Sequence, residues 1–358
     1  MRVQPQVKSE MTHRNSTESL DLVAGELVEV ASREEILSTL DQNGKLDSMP
    51  FMPEMLQYCG KRFRVFMRAD KTCDNIKQWS LRRVKNAVHL TGVRCDGTSH
   101  GNCDAGCLLF WNEAWLKKVI PDFVSARRVA QPVLASSPDR RPDLICTDQR
   151  LRDSVLRPDA SAPGNTLYVC QATELREFTS HLYWWDLRQY FRDIRSGNLR
   201  RGVGGDSKSE KFLEVVLSFL EVVRSLVITA FNKLQELRGG VRYPHIEGAL
   251  DTTPTLGLNL QPGEFVVVRT KDEILATLDR NNKNRGLLFD SEMLRYCGST
   301  FRVLKRVNQI VDERTGKTMK MKSPCIILEG VACVSEYHRW CPRAIYHYWR
   351  EAWLRRAE

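Results

Sequence analysis

The sequence predicts an α+β protein in which two duplicated small β-barrel modules with short helices are joined by a mainly helical middle region. Three observations lead there. One segment recurs at a constant displacement of 238 positions, so that Cys59, Cys95, His100 and Cys103 return as Cys297, Cys333, His338 and Cys341. Around these residues, short β-rich runs alternate with turn signals, as expected of small wrapped sheets. Between the two copies lie stretches with helical spacing of apolar residues. A chain of 358 residues with 42% hydrophobic content can bury cores of this kind.

The chain divides into a disordered N-terminus (1–19), module copy one (20–120), a linker (121–165), a helical middle region (166–250) and copy two (251–358). Residues 1–19 are polar and lack the apolar stretch of a secretory signal, which places the protein in the cytoplasm. Each copy opens on a strand after a turn glycine, Gly25-Glu26-Leu27-Val28 and Gly263-Glu264-Phe265-Val266. A short helix follows, led by Glu34-Glu35 or Asp272-Glu273, acidic residues that suit a helix N-terminus. Strands resume at Phe63-Arg64-Val65 and Phe301-Arg302-Val303. In copy two, Glu313-Arg314-Thr315-Gly316-Lys317 reads as a hairpin turn between Val307–Val311 and a strand around Cys325–Val331, a signal that copy one has lost. Each copy is expected to close with a helix, Trp111–Leu116 or Trp349–Leu354, whose tryptophans form a core-facing stripe and whose Glu113 or Glu351 makes a surface salt bridge. An SH3-like barrel is the simplest topology for such short strands.

The recurring cysteines and histidine form the candidate site. Three thiolates and one imidazole in each copy suit tetrahedral zinc, giving up to two ions, with Cys59 or Cys297 delivered from an earlier segment. A filled coordination sphere implies a structural role. Pro342 after Cys341 suits the first turn of a helix, and Asp104 is compatible with a helix start in copy one. Buried core cysteines are the competing reading. Cys73 and Cys107 have no counterparts in copy two, where Val311 and Ile345 stand, and are read as a redox pair or a second site. With Cys95 and Cys103 they would make an all-thiolate set for an iron–sulfur cluster.

The aromatic stretch His181–Ile194 is assigned to domain packing, although aromatics among arginines also suit base stacking. Phe212–Leu237 is a long apolar helix interrupted by Glu214, Glu221 and Arg224, too charged for a membrane span. Burying it calls for the modules, a protein partner or a homodimer. Gly202–Gly205 lacks the context of a phosphate loop. The net charge of +10 is concentrated in copy two, where 18 basic residues face 11 acidic ones between Gly263 and Arg356. That surface admits nucleic acid as a partner.

The segments Tyr58-Cys59-Gly60, Arg94-Cys95-Asp96-Gly97, His100-Gly101-Asn102-Cys103 and Trp111–Leu116 together resemble a group of bacterial cysteine-rich proteins with tandem SH3-like modules. The likeness spans both copies and parts of the middle region, and copy two departs from it by lacking Cys73 and Cys107 equivalents. It implies a place in a biosynthetic pathway. The expected function is a non-catalytic zinc-binding scaffold or accessory protein. The alternatives are a nucleic-acid-binding protein, and a thiol- or metal-dependent enzyme using the extra cysteines of copy one.

Overall fold

Alternation in Leu27–Val30 sends Val28 and Val30 into the core while Glu29 takes the opposite face. Phe265–Val268 does the same with Val266 and Val268. Such runs assemble a mixed α/β protein of small antiparallel sheets and few helices, consistent with barrel-like modules. This computed structural model describes residues 19–77, 80–119, 146–199 and 208–357. Residues 1–18, most of the expected linker and Gly202–Gly205 lie outside the described residues.

Two five-stranded sheets have the same strand order. One runs Trp111–Asn112, Ala87–Leu90, Arg62–Arg68, Leu27–Val30, Leu116–Lys118. The other runs Tyr346–Arg350, Cys325–Ala332, Thr300–Arg306, Phe265–Val268, Leu354–Arg356. Their registers also correspond, since Leu27 pairs with Arg64 where Phe265 pairs with Arg302, and each long strand is bulged at the same place, between Val65 and Met67 or Val303 and Lys305. Helix α1 (Arg33–Thr39) starts from a capping box of Ser32 and Glu35. Helix α5 (Lys271–Leu275) starts from the equivalent Thr270 and Glu273.

The expected closing helices are not formed. Trp111–Asn112 is a strand, Glu113–Trp115 a single 3-10 turn, and Leu116–Lys118 the next strand, with the same succession at Tyr346–Arg356. The buried glutamate explains the corner. Glu113 accepts from the Leu22 N–H at 3.0 Å and from the Arg68 guanidinium at 2.6 Å. Glu351 accepts from the N–H groups of Leu258, Asn259 and Leu260 at 2.6, 3.0 and 3.0 Å, and from Arg306 at 2.9 Å. The salt bridges foreseen at the surface are therefore interior anchors that fix the chain between two strands. The tryptophans do face the core: Phe51 meets the Trp115 ring edge-on at 5.1 Å, and Phe289 meets Trp353 at 5.3 Å.

The turn expected in copy two forms, but Gln309–Val311 pairs with Thr318–Lys320, while the expected partner strand around Cys325 pairs with Thr300–Arg306. Copy one keeps a hairpin without the turn signal, Lys71–Asp74 on Ser80–Arg83, extended by Ser180–Leu182 from the middle region. These hairpins reach across to the opposite half. Cys103 Sγ accepts from the Val311 N–H at 3.3 Å, and Cys341 Sγ accepts from the Cys73 N–H at 3.0 Å. Positions 311 and 341 stand 238 after 73 and 103, so one contact is made twice in exchanged roles. Asn75 Nδ2 donates at 2.8 Å to Glu313, the residue at its own displaced position. A two-fold relation between the halves produces this pattern.

The segment expected to be linker carries α2 (Asp148–Asp153), and the middle region contributes α3 (Arg188–Arg195) and the 31-residue α4 (Lys208–Arg238). The aromatic stretch expected to be helical splits into the strand Ser180–Leu182, a turn and α3. Tyr183, Trp185 and Phe191 are exposed, while Tyr190 packs with Leu199, Val222 and Trp340. Among the described residues no helix is long and apolar enough to cross a membrane.

Candidate metal centres

A 3-10 turn over Pro53–Tyr58 projects Glu54 inward, where it is 6% exposed. Opposite it, a loop after the Ala87–Leu90 strand carries Cys95, whose N–H is held by the Cys107 carbonyl at 2.8 Å, and turns back to His100 through Gly97. Glu54, Cys95 and His100 thereby place a carboxylate oxygen, a sulfur and an imidazole nitrogen all within 4.8 Å of one another. Cys95 Sγ lies 3.3 Å from Glu54 Oε1 and 3.6 Å from His100 Nε2, and His100 Nδ1 lies 3.4 Å from Glu54 Oε1. Two buried atoms of the group, Glu54 Oε2 and His100 Nδ1, make no hydrogen bond. Orphaned buried polar atoms are costly, and a bound cation is one way to satisfy them, which makes the group a candidate metal centre.

The second half repeats the arrangement. The 3-10 turn Ser291–Tyr296 presents Glu292, and Cys333 and His338 complete the group within 4.8 Å. Each member stands 238 positions after its counterpart in the first group. Here Cys333 Sγ is 3.6 Å from His338 Nδ1 and 3.3 Å from Ser335 Oγ, while His338 Nε2 lies 3.5 Å from Asp290. Glu292 Oε2 is buried without a hydrogen bond. Asp290 occupies the position of Met52, so the second centre has an additional carboxylate beside its imidazole.

Burial sets the electrostatics. Desolvation, reinforced by Glu54, raises the Cys95 thiol far above the ordinary cysteine range, and desolvation lowers His100 against the pull of Glu54. Burial also raises Cys333. For His338, desolvation opposes the charged form, but Asp290 and Cys333 outweigh it and hold the imidazole well above its ordinary value. A carboxylate, a thiol and an imidazole are the donor types of zinc sites, and three of them leave one tetrahedral position for a further ligand.

Of the four residues the sequence points to in each half, the structure brings Cys95 with His100 and Cys333 with His338. Cys59 and Cys297 end the 3-10 turns, and their charged neighbours are Arg33 and Glu34 or Lys271, on the α1 and α5 side. Cys103 and Cys341 serve the contact between halves described above. No helix starts at Cys341 or Asp104: Pro342 lies in a turn, and Asp104 caps the opposite hairpin by accepting from the Asn308 and Gln309 N–H groups at 2.9 and 3.2 Å. Cys73 and Cys107 both lie near the Arg343 guanidinium. The Cys341 thiol beside it and burial hold the Cys73 thiol well above its ordinary range, and burial pushes Cys107 up to about 11. Every cysteine is a free thiol. Neither metal-ligand group contains more than one cysteine, against the four thiolates of an iron–sulfur cluster.

Glu54 and Glu292 are the residues that sequence reasoning missed, though they obey the same displacement as the cysteines. Comparison with known proteins finds no matching family model, no matching curated protein and no matching solved structure.

Proposed function

We propose that the chain is a two-site transition-metal protein, holding one zinc ion at Glu54, Cys95 and His100 and a second at Glu292, Cys333 and His338. The observation that carries this reading is the repetition of the whole carboxylate–thiol–imidazole group at one displacement, with buried oxygens in both groups left without hydrogen bonds. Packing alone would accept a valine at Cys95 and a leucine at Glu54. The ion ties the 3-10 turn to the cysteine–histidine loop, cross-linking segments 41 residues apart in the first half. We read each half as an SH3-like barrel stapled by its metal, and the whole as a non-catalytic scaffold or accessory protein. A second reading follows from the number of donors. Three protein ligands resemble catalytic zinc sites, which keep a position for water or substrate, so a metal-dependent enzyme is the alternative.

Metal analysis of full-length protein tests the site. Two equivalents of zinc are expected, with Glu54→Gln and Cys95→Ser each reducing this to one, and Glu292→Gln doing the same for the other half. Cys59→Ser and Cys103→Ser should retain both ions. Loss of metal in Cys59→Ser with retention in Glu54→Gln would replace this ligand set by the three-cysteine one. Exchange of a bound water, seen by cobalt substitution as a visible spectrum that changes on adding azide, separates the open site from a closed one.

A further inference from the structure

Helix α4 carries its polarity the wrong way round for a helix that serves only its own chain. Its polar positions Ser225 and Asn232 are buried against the protein, at 4% and 7% exposure, and Asn232 bonds to the Tyr243 backbone in both directions. The opposite face is apolar and open. Val216, Leu220, Val223, Val227, Leu234 and Leu237 are all exposed, from 37% at Val216 to 85% at Leu237. With Ala230, also exposed, they follow spacings of three and four residues alternately, which is the seam of a coiled coil. Leu217, Phe219 and Phe231 widen the seam on its flanks.

We propose that this face pairs with α4 of a second copy of the chain, making a homodimer through an antiparallel two-helix coiled coil. Three features favour a second copy. The seam is self-complementary, because turning the helix about its middle sets Val223 opposite Val227 of the second copy, Val216 opposite its Leu234, and the bulky Leu220 opposite the small Ala230. The open apolar side chains amount to roughly 800 Å², matching the ~800 Å² that each partner gives to a stable interface and exceeding what monomers usually leave exposed. A parallel pair would set Ala230 against Ala230 and Lys233 beside Arg238 of the second copy, whereas the antiparallel pair fills the Ala230 position with Leu220 and brings together near the two-fold axis the two Arg224 side chains, each held by its own Glu336 at 2.6 Å. A basic nucleic-acid surface is ruled out for this face by its apolar character.

Light scattering on the full-length protein at tens of micromolar tests the proposal. The expected mass is twice the 41.2 kDa of the chain. Val223→Glu/Val227→Glu is expected to halve it, with circular dichroism and metal content unchanged, because both side chains face away from the protein. Val227→Ser, milder, should weaken the dimer at least tenfold in the dilution series while leaving the fold intact. A wild-type protein that stays monomeric, or a dimer that survives the double glutamate variant, overturns the assignment. So does a folded Val227→Ser protein with undiminished dimer. Metal content is measured separately, so failure here leaves the zinc sites standing and their failure leaves the dimer standing.

Discussion

At the scale of single residues, the interior of this protein is unusually rich in groups whose protonation the fold controls. His89 is fully buried in the strand Ala87–Leu90, with Nδ1 2.9 Å from the Leu109 carbonyl. That nitrogen donates, so protonation must occur at Nε2, which has no hydrogen-bond partner. Desolvation lowers this imidazole from 6.5 to about 4, with Arg343 and Arg94 adding to the effect. A histidine depressed on folding contributes stability that is complete above its unfolded pKa and disappears as pH falls toward the folded one. The gap corresponds to roughly 3 kcal/mol between pH 6.5 and 4. Urea titrations across this range should therefore show a steep loss of stability in the wild type. His89→Gln, which keeps a donor and cannot titrate, should flatten that part of the profile, and an unchanged slope would assign the acid sensitivity elsewhere.

The element that shapes the first candidate metal centre is the loop between Cys95 and Cys103. Gly97 lies at a φ of 74°, and a Cβ there would sit 2.1 Å from the Cys103 carbonyl oxygen and 2.6 Å from its nitrogen. No side chain fits without moving the backbone that presents Cys95 and His100. Gly97→Ala should cost at least roughly 1–2 kcal/mol from the left-handed conformation alone. It should also lower the zinc content from two equivalents toward one, read by metal analysis beside a denaturant titration. Retention of both ions would show that the loop has slack. The second loop shares the left-handed backbone at Ser335, with a φ of 58°, but has room there for a side chain, whose hydroxyl lies 3.3 Å from Cys333 Sγ.

This loop also explains what the sequence could reveal about the site. A cysteine and a histidine five positions apart, recurring at a fixed displacement, are visible because both residue types are scarce. Glutamate is abundant, so Glu54 drew no attention beside Cys59, although the 3-10 turn points the two side chains toward different neighbours. Cys103 recurs for another reason, since its sulfur accepts an N–H from the facing hairpin. Recurrence identifies a conserved geometry within the chain, but it does not separate a ligand from a contact. The strand pattern was legible because valine alternation is local. The closing corner at Glu113 was not, because its partners Leu22 and Arg68 lie 91 and 45 residues away.

For the molecule as a whole, the exchanged contacts predict that the halves unfold together. Arg343 lies at their junction, 2% exposed, donating from Nη2 to Glu313 at 2.8 Å and from Nη1 to the Cys73 carbonyl at 3.3 Å. It therefore joins the Lys71–Asp74 strand of one half to the Val311–Lys317 turn of the other. Removing one member of such an interior pair leaves the remaining charge poorly solvated, which typically costs about 3–5 kcal/mol. Arg343→Met should lower stability by that order and split a single thermal transition into two, as each half comes to unfold on its own. Arg343→Met/Glu313→Leu should recover much of the loss, because no stranded charge remains, and yet should keep the split if the guanidinium is what couples the halves. A double variant that regains a single transition would instead place the coupling in the backbone contacts of Cys73 and Cys103, and calorimetry distinguishes the two outcomes directly.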